Sequence, residues 1–195
     1  IMFSMMFIMS PRASASAVRI NQVLESTTKI KEPSEPKDVE IGTGAIEFKD
    51  VTFSYPGAEQ PVLSDVSFST KPGDVTAIIG GTGSGKSTII NLVPRFYAID
   101  RGSILFEGVD IRHMTQESLR SKIGFVPQKA LLFSGTIRDN IRVGKDDATD
   151  EEIMHALDIA QATEFISNME DGLDAVIAQG GTNLSGGQKQ RLSIA

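Results

Sequence analysis

The sequence predicts an α/β fold with a helical insertion, and three observations predict it. Strand-like runs fill residues 46–80. A glycine-rich loop then joins the β-branched run "VTAIIG" (75–80) to a helical run that begins at Lys86. From Thr136 onward the apolar spacing turns helical.

Size and charge set the frame. The chain has 195 residues, enough for one domain with a sizeable core. It is 40% hydrophobic and 23% charged, an ordinary globular composition. A formal net charge of −6 argues against a nucleic-acid footprint, so no nucleic acid is expected as a partner. The absence of cysteine excludes a disulfide framework and thiolate chemistry.

The first run, "IMFSMMFIM" (1–9), is apolar but shorter than the roughly 20 residues of a membrane span. No basic stretch precedes it, so it is not a signal peptide. It is expected to be either the end of a longer transmembrane helix or an amphipathic packing segment. Met2, Met5, Met6 and Met9 fall at helical spacing and read as packing surface. Pro11 is expected to break the run, with a helix following over "RASASAVRINQVLEST". Residues 26–45, rich in Pro, Lys, Glu and Gly, read as a linker, with a boundary near Gly44. A fragment is expected at both termini.

"IEFKDVTFSY" (46–55) alternates in apolar parity but switches phase at Val51, which predicts either a strand with a bulge or two short strands. "DVSFS" (65–69) predicts a second strand, and 75–80 a third, buried on both faces. "KSTIINLVPRFY" (86–97) predicts a helix with Ile89, Ile90 and Val93 inward and a kink at Pro94. "GSILFEGVDI" (102–111) predicts a hairpin turning near Glu107 and Gly108. "QESLRSK" predicts a short helix and "IGFVPQ" (123–128) a buried strand. Thr149 and Glu152 form a capping box ahead of Ile153, Ala156, Leu157 and Ala160 at core spacing.

The chemistry sits in two glycine-rich stretches. "GGTGSGKS" (80–87) matches G-x-x-x-x-G-K-[ST] and lies between a predicted strand and a predicted helix. Gly80, Gly83 and Gly85 let the backbone around Thr82 and Ser84 curl, so that several N–H groups converge on one anion. The helix start adds its unsatisfied N–H groups and dipole. Lys86 would reach the β- and γ-phosphates of a nucleotide, the Ser87 hydroxyl would ligate Mg²⁺, and Thr88 would lie near the α-phosphate. The second stretch is "LSGGQ" (184–188). Ser185 and Gln188 form a capping box, and Gly186 and Gly187 leave the first amides of the helix unobstructed.

Together these stretches resemble the nucleotide-binding domain of an ATP-binding cassette (ABC) transporter. "GGTGSGKST" resembles the family's Walker A motif and "LSGGQKQR" its signature motif. "FVPQ" resembles the Q-loop, which implies that Gln128 serves at Mg²⁺ and the attacking water. "FSYPG" resembles the A-loop, which implies that Tyr55 stacks on adenine. "LLFSGTIRDNI" (131–141) and "VLESTTKIKEP" are similar to the exporter type, in which a membrane domain precedes the cassette.

The resemblance implies a P-loop NTPase core with an antiparallel β subdomain and a helical subdomain at about 129–183. Residues 1–25 would be the end of the last transmembrane helix, 26–45 the linker and 46–195 the cassette. It implies ATP and Mg²⁺ as cofactors, and Lys86 and Gln128 in catalysis. A second nucleotide-binding domain would clamp two ATP molecules, Ser185–Gly187 of one facing the γ-phosphate held by the other. The coupling helices of a transmembrane domain, a transported substrate and the membrane are the remaining partners, with this domain on the cytoplasmic face. Exporters often carry Glu-Arg-Gly before the signature; here the stretch is Gln179–Gly181, which lacks that charge.

The family's Walker B Asp, catalytic Glu and switch His would lie beyond Ala195, so the fold is expected to be incomplete at the C-terminus and the chain alone inactive. His113 and His155 read as solvated or packing residues. The strand at 75–80 would then lack its neighbour, and the isolated chain is expected to be unstable. A soluble ABC-type ATPase and a binding-only fragment are the alternatives.

Overall fold

The computed structural model describes residues 2–28, 30–39, 42 and 44–195, with side chains from Met9 onward. The packing stripe expected of Met2, Met5 and Met6 lies outside the described side chains; Met9 is exposed. The chain divides into two compact units, Ile1–Ile123 and Gly124–Ala195.

In the first unit, α1 (Met2–Leu24) runs straight through Pro11, where a break is expected. Proline removes one hydrogen bond, and the Ala- and Arg-containing turns around it keep enough helix propensity to continue. Among the described residues no helix is long and apolar enough to cross a membrane. An antiparallel sheet follows, built from β1 (Ile46–Phe53), β2 (Leu63–Ser69), β3 (Arg101–Phe106) and β4 (Val109–Asp110) in the order β2-β1-β3-β4.

The phase switch in β1 is a bulge. The ladder to β2 shifts between Phe48 and Val51, and Asp50 takes a left-handed φ of 48°. Ser67 stabilises it: the Asp50 N–H donates to the Ser67 hydroxyl at 2.8 Å, which donates back to the Asp50 carboxylate at 2.8 Å. The bulge turns Phe48, Val51 and Phe53 to the same buried face, joined by Leu63, Ile104 and Phe106. On β3, Gly102 passes so close to the bulge that a Cβ there would lie 2.3 Å from the Lys49 carbonyl oxygen. Glu107 and Gly108, both at positive φ, make the expected hairpin turn.

Helix α2 (Lys86–Leu92) packs Leu92 into this core, with Ile89 and Val93 at its edge. It stops short of the expected end, because Pro94 has no N–H for another turn and Arg95 is left-handed at φ 57°. Ile90 faces solvent rather than inward; Leu92 and Thr88 are the buried positions. Helix α3 (Gln116–Arg120) is capped by Thr115 and adds buried Leu119.

The expected strands at 75–80 and 123–128 do not form. Val75 is 98% exposed, Ile79 91% and Val126 47%. A run that is apolar on both faces calls for a bonded neighbour on each side, and neither run has a ladder partner among the described residues.

Residues 30–39 lie bonded along the first unit. Arg95, buried at 8% exposure, donates to the carbonyl oxygens of Lys31 at 2.9 Å and Met114 at 3.1 Å. The Glu32 carboxylate accepts from the Gln116 backbone and side chain. The Lys37 N–H donates to the His113 carbonyl at 2.7 Å, and Val39 packs against the core. Asp38 accepts from the Ser118 hydroxyl and from Lys122 at 3.1 Å.

The second unit holds α4 (Ile137–Arg142), α5 (Asp150–Ile159), α6 (Thr163–Ser167), α7 (Gly186–Ile194) and a two-stranded ribbon of β5 (Gly135–Thr136) with β6 (Val176–Ile177). Thr149 and Glu152 form the expected capping box at the start of α5. Ile137, Ile153, Leu157, Ile166, Ile177, Leu184 and Leu192 make the core.

Two predictions follow from this packing. Gly102→Ala forces a Cβ into the Lys49 backbone at positive φ and should cost about 2 kcal/mol, read as a lower urea midpoint at unchanged slope. The Ser118 hydroxyl and Lys122 hold the Asp38 carboxyl down at about 2, against an ordinary 3.8. Because the folded value is depressed, this latch is fully present above 3.8 and is lost as pH falls towards 2. An NMR titration of the Asp38 carboxyl carbon should therefore have its midpoint near 2; a midpoint at 3.8 would mean that the segment is not docked.

Candidate functional site

The glycine-rich loop reaches its shape through one residue that only glycine can satisfy. Gly85 is the N-cap of α2 at φ 88°, and a Cβ there would sit 2.7 Å from Leu63 Cδ2. Gly83, at φ 82°, is left-handed as well but faces open space. Gly80 packs under Ser84, whose Oγ would be 2.6 Å from an added Cβ. The Ser84 N–H donates to the Gly81 carbonyl at 3.4 Å, and Thr82 is exposed at the tip.

Lys86 folds back over this loop. Its ammonium donates to the Gly80 carbonyl at 2.9 Å, to the Gly81 carbonyl, and to the Ser84 hydroxyl at 3.3 Å. An ammonium has three donors, so the lysine head is held over the loop's own concavity. Ser87 is exposed. Thr88 is buried at 4% exposure, and its hydroxyl lies 3.1 Å from that of Tyr55.

Tyr55 is fixed from both ends. Its ring meets Phe53 edge-on at 5.0 Å and Tyr97 edge-on at 5.2 Å, while its hydroxyl reaches Thr88. The ring lines a cavity of about 310 Å³ together with Val62 and residues 83–88. On another side it lines a cavity of about 650 Å³ with Ile30, Phe53, Tyr97 and Ile99. The first unit thus brings Tyr55, Gly83, Ser84, Gly85, Lys86, Ser87 and Thr88 around one concavity. Gly80 packs under Ser84, and its carbonyl accepts from Lys86.

In the second unit the expected capping box at α7 is present. The Gln188 N–H donates to the Ser185 hydroxyl at 3.2 Å, and the Ser185 N–H donates to Gln188 Oε1 at 2.9 Å. An added Cβ at Gly186 or Gly187 would meet nothing within 4 Å, and both residues are exposed in the first turn of α7, where backbone N–H groups lack intrahelical partners. Gln128 is exposed and lines a cavity of about 410 Å³ with Gly180, Gly186, Lys189 and others.

Sequence reasoning missed what braces these stretches. The exporter-like run "FSGTIRDNI" is held by its own side chains. Asn140 Oδ1 accepts from the Phe133 N–H at 2.8 Å, and Nδ2 donates to the Phe133 and Thr136 carbonyls. Thr136 and Asp139 form a capping box, and the bonds from Thr136 hold the Asp139 carboxyl below its ordinary range. Arg138 forks onto Asp174 and also pairs with Asp150. The T-x-x-D spacing signals the cap; no local pattern announces the Asn140 or Arg138 contacts, because their partners follow from the fold.

A family model described as "ABC transporter" matches residues 63–195. An ABC transporter ATP-binding protein of Mycobacterium tuberculosis is 45% identical over 199 residues, covering 100% of this chain and 34% of that protein. The ABC transporter ATP-binding protein YfiB of Bacillus subtilis is 46% identical over 194 residues, with the same coverage. A Staphylococcus aureus protein named for multidrug export, an ATP-binding/permease protein, is 43% identical over 174 residues, covering 89% of this chain and 30% of that one. The solved structure of a bacterial Atm1-family ABC exporter with ATP bound matches with a TM-score of 0.89 at 33% identity, covering 99% of this chain and 34% of that chain. The chain thus spans about a third of the length of these relatives.

Gly85→Ala should destabilise the first unit by about 2 kcal/mol, because it combines a left-handed backbone with displacement of Leu63. Urea unfolding checks this; Gly83→Ala, in open space, should show the backbone cost alone.

Proposed function

Because the chain belongs to the ABC transporter family, we propose that it is the ATP-binding cassette of a membrane exporter, and that the whole protein couples ATP binding and hydrolysis to movement of a substrate across a membrane. The observation that carries this reading is the loop at 80–87, with Gly85 turned left-handed to open α2 and Lys86 poised above the concavity. The multidrug-export name of one relative and the exporter likeness of the solved structure favour export as the direction of transport.

The residues present fit a nucleoside triphosphate with Mg²⁺. The cradle is tight where Gly80 and Gly85 pack and open at its mouth, and its donors are amides, one ammonium and one hydroxyl. Lys86 would exchange its bonds to the loop carbonyls for the β- and γ-phosphate oxygens. The exposed Ser87 hydroxyl would ligate the metal, which neutralises charge that develops on the phosphates. Thr88 would contribute its backbone N–H, since its hydroxyl is engaged with Tyr55.

Tyr55, held edge-on by Phe53 and Tyr97, would present a fixed face to adenine. Gln128 would orient the attacking water and complete the metal's shell. Ser185, Gly186 and Gly187 would aim the first amides of α7 at the γ-phosphate held by a second cassette, and Gln188 would keep that end capped. The membrane domain's coupling helices would carry the motion, with the cassette on the cytoplasmic face. Residues 1–25, 26–45 and 46–195 would be the membrane-helix extension, the connection and the cassette.

Titration with a fluorescent ATP analogue tests the reading. Lys86→Ala should weaken binding at least about tenfold, the loss of roughly one charge-assisted contact. Tyr55→Phe should bind almost as tightly as the unaltered protein, and Tyr55→Ala more weakly. Unchanged binding by Lys86→Ala would sink the assignment of the loop.

A further inference from the structure

The short path from β6 to α7 turns sharply twice. Gly180 and Gly181 take left-handed φ values of 67° and 65°, and the Gly181 N–H closes a turn on the Ala178 carbonyl at 2.7 Å. The Leu184 N–H donates in turn to the Gly181 carbonyl at 2.9 Å, and the chain leads directly from this turn into α7. Two side chains brace the turn. Asn183 Oδ1 accepts from the Ala178 N–H at 3.0 Å, and Nδ2 donates to the Val176 carbonyl at 2.8 Å. One amide therefore ties the end of β6 to the residue before Leu184.

The second brace comes from inside α7. Lys189 Nζ donates to the Gly180 carbonyl at 3.0 Å, and its stem lies over Gly181, where an added Cβ would be 3.1 Å from Cε. This cation is directed at the turn rather than towards the amides of Gly186 and Gly187. Buried Leu184 and Leu192 hold the helix in the core of the second unit. Asn183 and Lys189 complete the constraint by fixing the chain that enters it.

We propose that Asn183 and Lys189 are positioning residues, whose bonds to Val176, Ala178 and Gly180 set the direction in which the first amides of α7 meet the phosphate of a partner cassette. This rests on the reading above that the α7 end faces a nucleotide. The bonds are short-range and local, so their loss loosens the turn without emptying the core. The consequence is a loss of turnover with little loss of nucleotide affinity, because the affinity comes mainly from the loop at 80–87.

The test uses the native protein carrying Lys189→Met, Lys189→Arg or Asn183→Ala, with Ser185→Ala and Gly187→Asp as controls. Hydrogen exchange at 178–187 and the kinetics of ATP turnover are measured. Lys189→Met and Asn183→Ala should speed exchange and lower kcat about tenfold, with KM for ATP unchanged. Lys189→Arg, which retains a cationic donor, should restore most of the loss.

Unchanged exchange in both variants would overturn the brace. Faster exchange with unchanged kcat would overturn its positioning role, provided that Gly187→Asp abolishes turnover. If Gly187→Asp and Ser185→Ala also leave kcat unchanged, the reading of α7 as a phosphate-facing end fails, and the proposal fails with it.

Discussion

The site in the first unit depends on a place where no side chain fits. Leu63 occupies the position that a Cβ on Gly85 would need, and the backbone at Gly85 is left-handed. These two facts let the start of β2 and the start of α2 touch. One turn further along α2, Thr88 meets the Tyr55 hydroxyl. Lys86, the first residue of that helix, reaches back over the loop. Steric exclusion at one glycine thus organises a charge, a hydroxyl pair and an aromatic ring.

The two units reach a similar end by different means. In the first, a left-handed glycine opens a helix with no side-chain cap. In the second, Ser185 and Gln188 cap the helix reciprocally, while the two glycines between them keep its first turn bare. Both ends present backbone donors and a helix dipole, which suit an anion and need no proton transfer. The chemistry offered by these residues is positioning and charge stabilisation, the two contributions on which phosphoryl transfer mainly relies.

Local features were legible in the sequence. The phase switch at Val51, the Glu107–Gly108 turn and the boxes opening at Thr149 and Ser185 each involve residues a few positions apart, and each appears in the structure. Features that depend on distant partners were not. The β-branched run at 75–80 reads locally as a doubly buried strand, but such a strand needs bonded neighbours that a local reading cannot supply, and Val75 and Ile79 lie exposed outside any strand. Pro11 does not interrupt α1, because a proline removes one hydrogen bond while the turns on either side stay helical. At the candidate site, the loop and the capping box could be read from spacing. The Tyr55–Thr88 contact, the clasp of Asn140 on Phe133 and the brace at Gly180 could not, since each joins segments that only folding brings together.

Residues 30–39 carry a mechanical consequence. Their composition suggests slack, but their backbone is bonded at Lys31 and Lys37, with carboxylates anchored at Glu32 and Asp38. A tether fastened at four points has little length left to stretch. Held at these points, the segment adds its bonds to Arg95 and α3 rather than lying free of the first unit. Tyr97, two residues beyond Arg95, already rests against Tyr55. The segment that composition marks as a connection is thus part of the packing that holds Arg95, two residues before an edge of the aromatic cluster.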